Sequence, residues 1–173
     1  MGKKSAKRNS PRRNYKDSLF RMVFREKKEL LSLYNAINGT AYDDPEELMV
    51  TTIEDVLYMG RKNDISFLIK DVMNLYEHQS SVNPNMPLRG LIYISMLYQG
   101  YIEQNNLDIY SSTQLKLPAP KYLVFYNGIK AEPDRQELRL SDSFVKQEEQ
   151  PDLECRAVVL NINYGHNKKL MEA

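Results

Sequence analysis

The chain has 173 residues, of which 42% are hydrophobic and 27% are charged, and this composition suits one globular domain with a substantial core. Its single cysteine, Cys155, excludes an internal disulfide, and one thiol with two histidines excludes a Cys/His zinc cluster. The sequence contains no apolar run of membrane-spanning length and no signal-peptide core, so we expect a cytoplasmic protein with no membrane partner.

The net charge of +1 conceals a strongly basic N-terminus. Residues 1–16 contain seven basic residues and no acidic one, whereas the other 17 basic and all 23 acidic residues give the remainder a charge of −6. We predict that residues 1–16 form a flexible basic arm outside a domain spanning residues 17–173. The arm either binds DNA phosphates by counterion release or is an ordinary disordered terminus. Its candidate DNA-binding residues are Lys3, Lys4, Lys7, Arg8, Arg12, Arg13 and Lys16.

The first half of the domain shows one helical pattern followed by three strand patterns. Apolar residues recur at threes and fours from Asp17 onwards, which predicts a helix that ends at Gly39. Residues 49–58 are rich in β-branched residues and predict a first strand. Residues 63–69 and 73–79 have strand periodicity and predict a hairpin.

The second half alternates one helix with further strands. Pro87 suits a first helical position and begins a helix that runs to about residue 104. Residues 122–126 and 155–162 are nearly continuous apolar runs that predict buried strands, and residues 137–140 predict a short one. A strand that returns parallel to the hairpin after a crossover helix gives an α/β fold with a mixed sheet flanked by helices.

The hairpin places two carboxylates opposite each other. If the chain reverses at Lys70 and Asp71, opposed residues have numbers that sum to 141, so Asp64 faces Glu77. Directly opposed side chains have Cβ atoms roughly 5 Å apart, and like charges at that spacing destabilise a sheet. A cation or the protonation of one carboxylate would relieve the repulsion. We infer a divalent metal ion as the economical explanation.

This order of helix, three strands, helix and strand, with Asp64 on the second strand and Glu77-x-Gln79 on the third, resembles the PD-(D/E)XK nuclease superfamily. Within it, the chain is similar to the recombination-promoting nuclease family (Rpn, also called transposase-31 or YhgA-like). The resemblance runs from about residue 14 to the end. The stretches that carry it are residues 15–20, 61–67, 75–80, 118–128, 133–141 and 160–167.

The resemblance implies a restriction-endonuclease-like α-β-β-β-α-β core and a metal-dependent DNA endonuclease linked to recombination or mobile elements. Asp64 and Glu77 would bind Mg²⁺ or Mn²⁺, with the backbone carbonyl of His78 as a further oxygen ligand. Gln79 would be a catalytic residue at a position where the superfamily more often has lysine. Glutamine can orient a water molecule by hydrogen bonding, but it carries no charge. Because such proteins usually continue with a further helical region, the resemblance also implies truncation at the C-terminus.

Other interpretations stay open at this point. Glu29 on the first helix is either a further metal ligand or a solvated residue on the helix flank. The whole domain is either an active nuclease or a degenerate nuclease fold that serves as a DNA-binding or protein-interaction module. The sequence does not set the oligomeric state and is compatible with a homodimer.

Overall fold

A six-stranded mixed sheet forms the centre of the computed structural model, which describes residues 20, 22–51 and 64–171. The strand order across the sheet is β1-β2-β3-β4-β6-β5. The strands are β1 (Leu48–Val50), β2 (Ile65–Ile69), β3 (Val72–Gln79), β4 (Ala119–Tyr126), β5 (Arg135–Arg139) and β6 (Arg156–Asn161). The helices are α1 (Lys27–Asn38), α2 (Met86–Gln104) and α3 (Lys168–Met171), with short 3-10 helices at Pro45–Glu47 and Leu140–Ser143. The basic arm and most of the predicted first strand lie outside the described residues.

The register predicted for the hairpin is confirmed. Strands β2 and β3 are antiparallel, with Ile65 opposite Tyr76 and Ile69 opposite Val72, so opposed numbers sum to 141. The chain reverses at Lys70, whose φ of 52° is the left-handed conformation that a two-residue hairpin loop needs. The register continued by one residue places Asp64 opposite Glu77.

The predicted crossover is confirmed too. Helix α2 connects β3 to β4, and these two strands pair in parallel, as do β4 and β6. The sheet therefore has an antiparallel hairpin on one side and parallel strands in the middle, with β5 antiparallel to β6 at the far edge. This agrees with the predicted α/β class and mixed sheet. No helix among the described residues is long and apolar enough to cross a membrane.

Each face of the sheet carries its own apolar core. One core packs α1 against aromatic side chains of the sheet such as Phe67, Tyr76 and Phe125. The other packs α2 against Leu75 and Tyr122. Side chains of a strand alternate between the two faces, so Glu77 lies on the α2 side and His78 on the α1 side.

The helices differ from the prediction in two details. The predicted helix from Asp17 is not continuous over its described part, because the chain turns at residues 24–26 and α1 begins at Lys27, after the extended backbone of Glu26. It does end at Gly39, whose φ of 64° closes the last turn. In α2 the inward face includes Met86, Gly90, Tyr93 and Leu97, while Leu88 is exposed. The apolar periodicity of α2 is misleading because the helix is apolar on nearly all sides.

The contact between α2 and β4 depends on Gly90. A Cβ at Gly90 would lie 2.3 Å from a ring carbon of Tyr122, whereas a Cβ at Gly100 of the same helix would meet nothing within 4 Å. We expect Gly90→Ala to lower the free energy of unfolding by about 1–3 kcal/mol, the usual effect of overpacking a core. Gly100→Ala should raise it by up to about 1 kcal/mol, since alanine favours helices. Urea denaturation of both variants tests this, and equal effects would contradict it.

Candidate active site at the open end of the hairpin

Asp64 fixes the end of the hairpin through the backbone of β3. It immediately precedes β2, and its Oδ2 accepts a hydrogen bond from the backbone N–H of His78 at 2.8 Å. A hydrogen bond with an ionised acceptor is stronger than one between neutral groups, so this contact holds the Asp64 carboxylate beside the β3 residues that follow Tyr76. This hydrogen bond, in addition to the strand register, therefore holds Asp64 beside residues 77 and 78 of β3.

Glu77 pairs with a cation that comes from α2. Its side chain is only 2% exposed, and its Oε2 lies 2.6 Å from Nη2 of Arg89. Arg89 belongs to the first turns of α2, which cover this face of the sheet, and its own side chain is 25% exposed. A buried carboxylate needs such a partner, because taking an isolated charge out of water is very costly. The negative charge of Glu77 is therefore balanced within the protein.

Gln79 binds the same guanidinium group. In the amide orientation that gives both ends a hydrogen-bonding partner, its Oε1 accepts from Nη1 of Arg89 at 2.9 Å and its Nε2 donates to the carbonyl of Ser81 at 3.0 Å. Arg89 thus contacts Glu77 with one terminal nitrogen and Gln79 with the other. The planar guanidinium suits this role because its donors have a fixed fork geometry.

Two tyrosines shape the electrostatics around Arg89. The guanidinium carbon lies 5.8 Å from the ring centre of Tyr93, a cation–π distance. Burial opposes the charged form of Arg89, but Glu77 together with Tyr122 and Tyr93 raises its pKa above the ordinary value, so it stays charged. Burial and then the charge of Glu77 raise the pKa of Tyr122 well above the ordinary value. The site therefore combines a fixed positive charge with a protonated phenol.

Arg89 is a residue of this cluster that the sequence patterns do not predict. Apolar periodicity, which predicts α2, gives no weight to a single arginine. One signal was present: the positive end of the helix dipole disfavours a cation in the first turn, and α2 has no acidic residue there to offset Arg89. Glu77 of β3 is the carboxylate that offsets this unfavourable position in the folded protein.

Two further predicted residues lie away from this cluster. The imidazole of His78 stacks on Phe20 on the α1 side, with ring centres 5.3 Å apart, as its strand position predicts. Glu29 is exposed on α1, which covers the face opposite Glu77. Because the apolar residues of α1 turn inward, Glu29 is left on the solvent side, and the structure does not bring it to Asp64 and Glu77. The backbone carbonyl of His78 stays a predicted ligand.

The oxygen donors at the hairpin end suit a hard divalent cation. Within the described ranges, no three His, Cys, Asp or Glu side chains form a metal-binding group. Mg²⁺, however, is usually held by one or two carboxylates, with water and substrate phosphates completing its octahedron. Asp64 and Glu77 provide two carboxylates and His78 a carbonyl, which fits Mg²⁺ or Mn²⁺ by donor type. Arg89 is then a cation that competes with the metal for Glu77.

The comparisons with known proteins leave the family open. No protein-family model, curated protein or solved structure gives a significant match to the chain. Membership of the Rpn family and of the PD-(D/E)XK superfamily therefore stays a prediction, based on the stretches of sequence resemblance. The α/β fold with its mixed sheet is compatible with that prediction, as it is with other families.

Proposed function

We propose that this chain is a metal-dependent DNA endonuclease that hydrolyses phosphodiester bonds at the open end of the β2–β3 hairpin. The proposal joins the resemblance to recombination-promoting nucleases with one observation: the guanidinium of Arg89 contacts both Glu77 and Gln79. Phosphodiester hydrolysis needs a positive charge near the phosphate, and the lysine usual in the superfamily is absent at position 79. Arg89 provides that charge from α2, in place of the lysine.

Each residue has a role in this proposal. Asp64, Glu77 and the His78 carbonyl would hold Mg²⁺ or Mn²⁺, which supplies a water of lowered pKa and neutralises developing charge. Each terminal nitrogen of Arg89 has one N–H beyond those that face Glu77 and Gln79, and we assign such an N–H to a non-bridging phosphate oxygen. Gln79 accepts from Arg89 and so fixes the direction of the guanidinium. Tyr122 keeps its proton and leaves the charge at the site to the carboxylates and Arg89.

A second function has one observation in its favour. Because Arg89 already neutralises Glu77, the opposed carboxylates do not require a metal ion for the sheet to be stable. In this alternative the Glu77–Arg89 pair is structural, and the domain is a degenerate nuclease fold that binds DNA or a protein partner without cutting.

A nicking assay on supercoiled plasmid separates the two functions. The nuclease proposal expects conversion to open circles in Mg²⁺ or Mn²⁺ and none in EDTA. Binding of the same plasmid in EDTA, with no cutting in either metal, would contradict the nuclease and support the binding module. Loss of cutting in Asp64→Asn would assign the activity to this site.

A further inference from the structure

Three basic side chains lie in a row across three neighbouring strands, away from the candidate active site. Arg139 of β5 is directly opposite Arg156 of β6. The parallel register that pairs Leu123 with Val158, continued by two residues, brings Lys121 of β4 beside Arg156. Because neighbouring strands are about 4.8 Å apart, the three side chains span roughly 10 Å. We call Lys121, Arg156 and Arg139 the basic row.

The basic row lies on the face of the sheet opposite Glu77. On β4, Leu123 packs with the α1 core, so Lys121, two positions earlier, lies on the same face of the sheet. Val158 of β6 also packs with the α1 core, so Arg156, two positions earlier, lies on that side as well. Arg139 lies on the same side because it is directly opposite Arg156. All three are exposed, with 52% of the Arg139 side chain and 59% of the Arg156 side chain accessible. The row is therefore a surface open to a partner.

The charge of the basic row is balanced only in part. Within the described residues, Glu137 is the carboxylate that pairs with the basic row. Its Oε1 lies 3.0 Å from Nε of Arg139 and 3.9 Å from Nε of Arg156. Like charges that face each other across strands destabilise a sheet, and one carboxylate cannot neutralise three cations. The exposed Arg135, on the same side of β5, adds a further positive charge. An external polyanion would remove this repulsion.

We infer that the basic row binds the phosphate backbone of a nucleic acid. Guanidinium groups match phosphate oxygens bidentately, and closely spaced cations gain affinity by counterion release. The row contains no aromatic side chain for stacking on bases, so the contact is independent of base sequence. Anchoring in a lipid surface would need apolar side chains as well, and none of the exposed large apolar residues described here belongs to β4, β5 or β6.

The salt dependence of DNA binding tests this inference. Fluorescence anisotropy with a labelled duplex, in EDTA, measures binding without reference to the proposed catalysis. The triple variant Lys121→Gln/Arg139→Gln/Arg156→Gln should reduce the slope of log K against log salt by about 2.7, at 0.9 per phosphate contact. Between about 50 and 200 mM salt, the wild type should then lose about 40-fold more affinity than the variant.

A matched control separates the row from total charge. Lys28→Gln/Lys116→Gln/Lys146→Gln removes three exposed cations from other parts of the chain and should change the slope by less than about one. Equal slopes for the wild type and both triple variants would overturn the inference. If only phosphatidylserine vesicles, and not DNA, bind less well to the row variant, the inference fails in favour of a lipid surface.

A gain of affinity provides a test that does not depend on removing three residues. Glu137→Gln removes the carboxylate that occupies the two arginines and should tighten duplex binding severalfold at low salt, with a steeper salt dependence. The row variant should keep the wild-type melting temperature or exceed it, because like charges across strands are removed. If Glu137→Gln leaves the affinity unchanged, the arginines do not bind phosphate and the inference is overturned.

Discussion

Replacing Arg89 with methionine should lower the free energy of unfolding by about 3–5 kcal/mol, the usual cost of removing one member of a buried ion pair. The reason is that Glu77, at 2% exposure, would lose the guanidinium that balances its charge. Methionine keeps much of the length of the arginine side chain. The loss of stability therefore comes mainly from the missing charge and less from a cavity. Urea denaturation followed by circular dichroism measures the difference.

The control for this experiment is an exposed ion pair of the same type. Arg139 lies 3.0 Å from Glu137 but is 52% exposed, so Arg139→Met should cost at most about 1 kcal/mol. The double variant Glu77→Gln/Arg89→Met should recover part of the stability lost in Arg89→Met, because the buried charge is then absent. If Arg89→Met costs no more than Arg139→Met, the buried pair does not stabilise the fold as described.

Asp64→Asn is expected to lower the rate of plasmid nicking by about 1,000-fold, and this is the largest effect that we predict on activity. A carboxylate that binds the catalytic metal contributes several kcal/mol to the reaction, and each 1.36 kcal/mol is a factor of ten. Asparagine retains an oxygen that can accept the N–H of His78, so the hairpin end should keep its structure. The rate of conversion from supercoiled to open circular plasmid is the measurement.

Matched variants show whether lost cutting comes from this site. Glu77→Gln should also abolish nicking, whereas Glu29→Gln, on the opposite face of the sheet, should nick at the wild-type rate. Melting temperatures must be compared first, because Glu77→Gln also breaks the pair with Arg89. Cutting by Asp64→Asn at the wild-type rate would contradict the nuclease proposal.

The hairpin and crossover could be predicted because local patterns determine them. Alternating apolar residues and the polar pair Lys70-Asp71 leave one favourable register, since a slip by one residue would exchange the two faces of each strand. Buried apolar runs of strand length, separated by a helix, then indicate a parallel return. These features depend on residues that are close in sequence or strongly periodic.

The pairing of Glu77 with Arg89 could not be predicted in the same way. It depends on how α2 is rotated about its axis above the sheet, and that rotation is set by Gly90 against Tyr122. Apolar periodicity gave no guide there, because exposed Leu88 is as apolar as buried Leu97. Repulsion between the opposed carboxylates predicts either a cation or a proton at the pair, and the described structure provides an arginine beside Glu77. The divalent metal ion that we inferred from the sequence stays a prediction.

Arg89 also changes what Gln79 means. In the sequence motif, Gln79 stands where the superfamily more often has lysine. Gln79→Lys would restore the usual residue, and from the motif alone we expect it to preserve or raise activity. With its amide oriented so that both ends have a partner, Gln79 accepts a hydrogen bond from Arg89. A lysine at position 79 would bring an ammonium group against the guanidinium. Arg89 and Gln79 therefore act together: Arg89 of α2 provides the positive charge, and Gln79 of β3 orients the guanidinium by hydrogen bonding.

Calorimetric titration of Mn²⁺ into the wild type and Asp64→Asn, at equal protein concentration and without DNA, tests the metal site most directly. We expect one saturable binding event in the wild type and its loss or strong weakening in Asp64→Asn, with the apo melting temperatures of the two proteins alike. The same binding heat in both proteins, or no binding in the wild type, would contradict a metal site at Asp64 and Glu77.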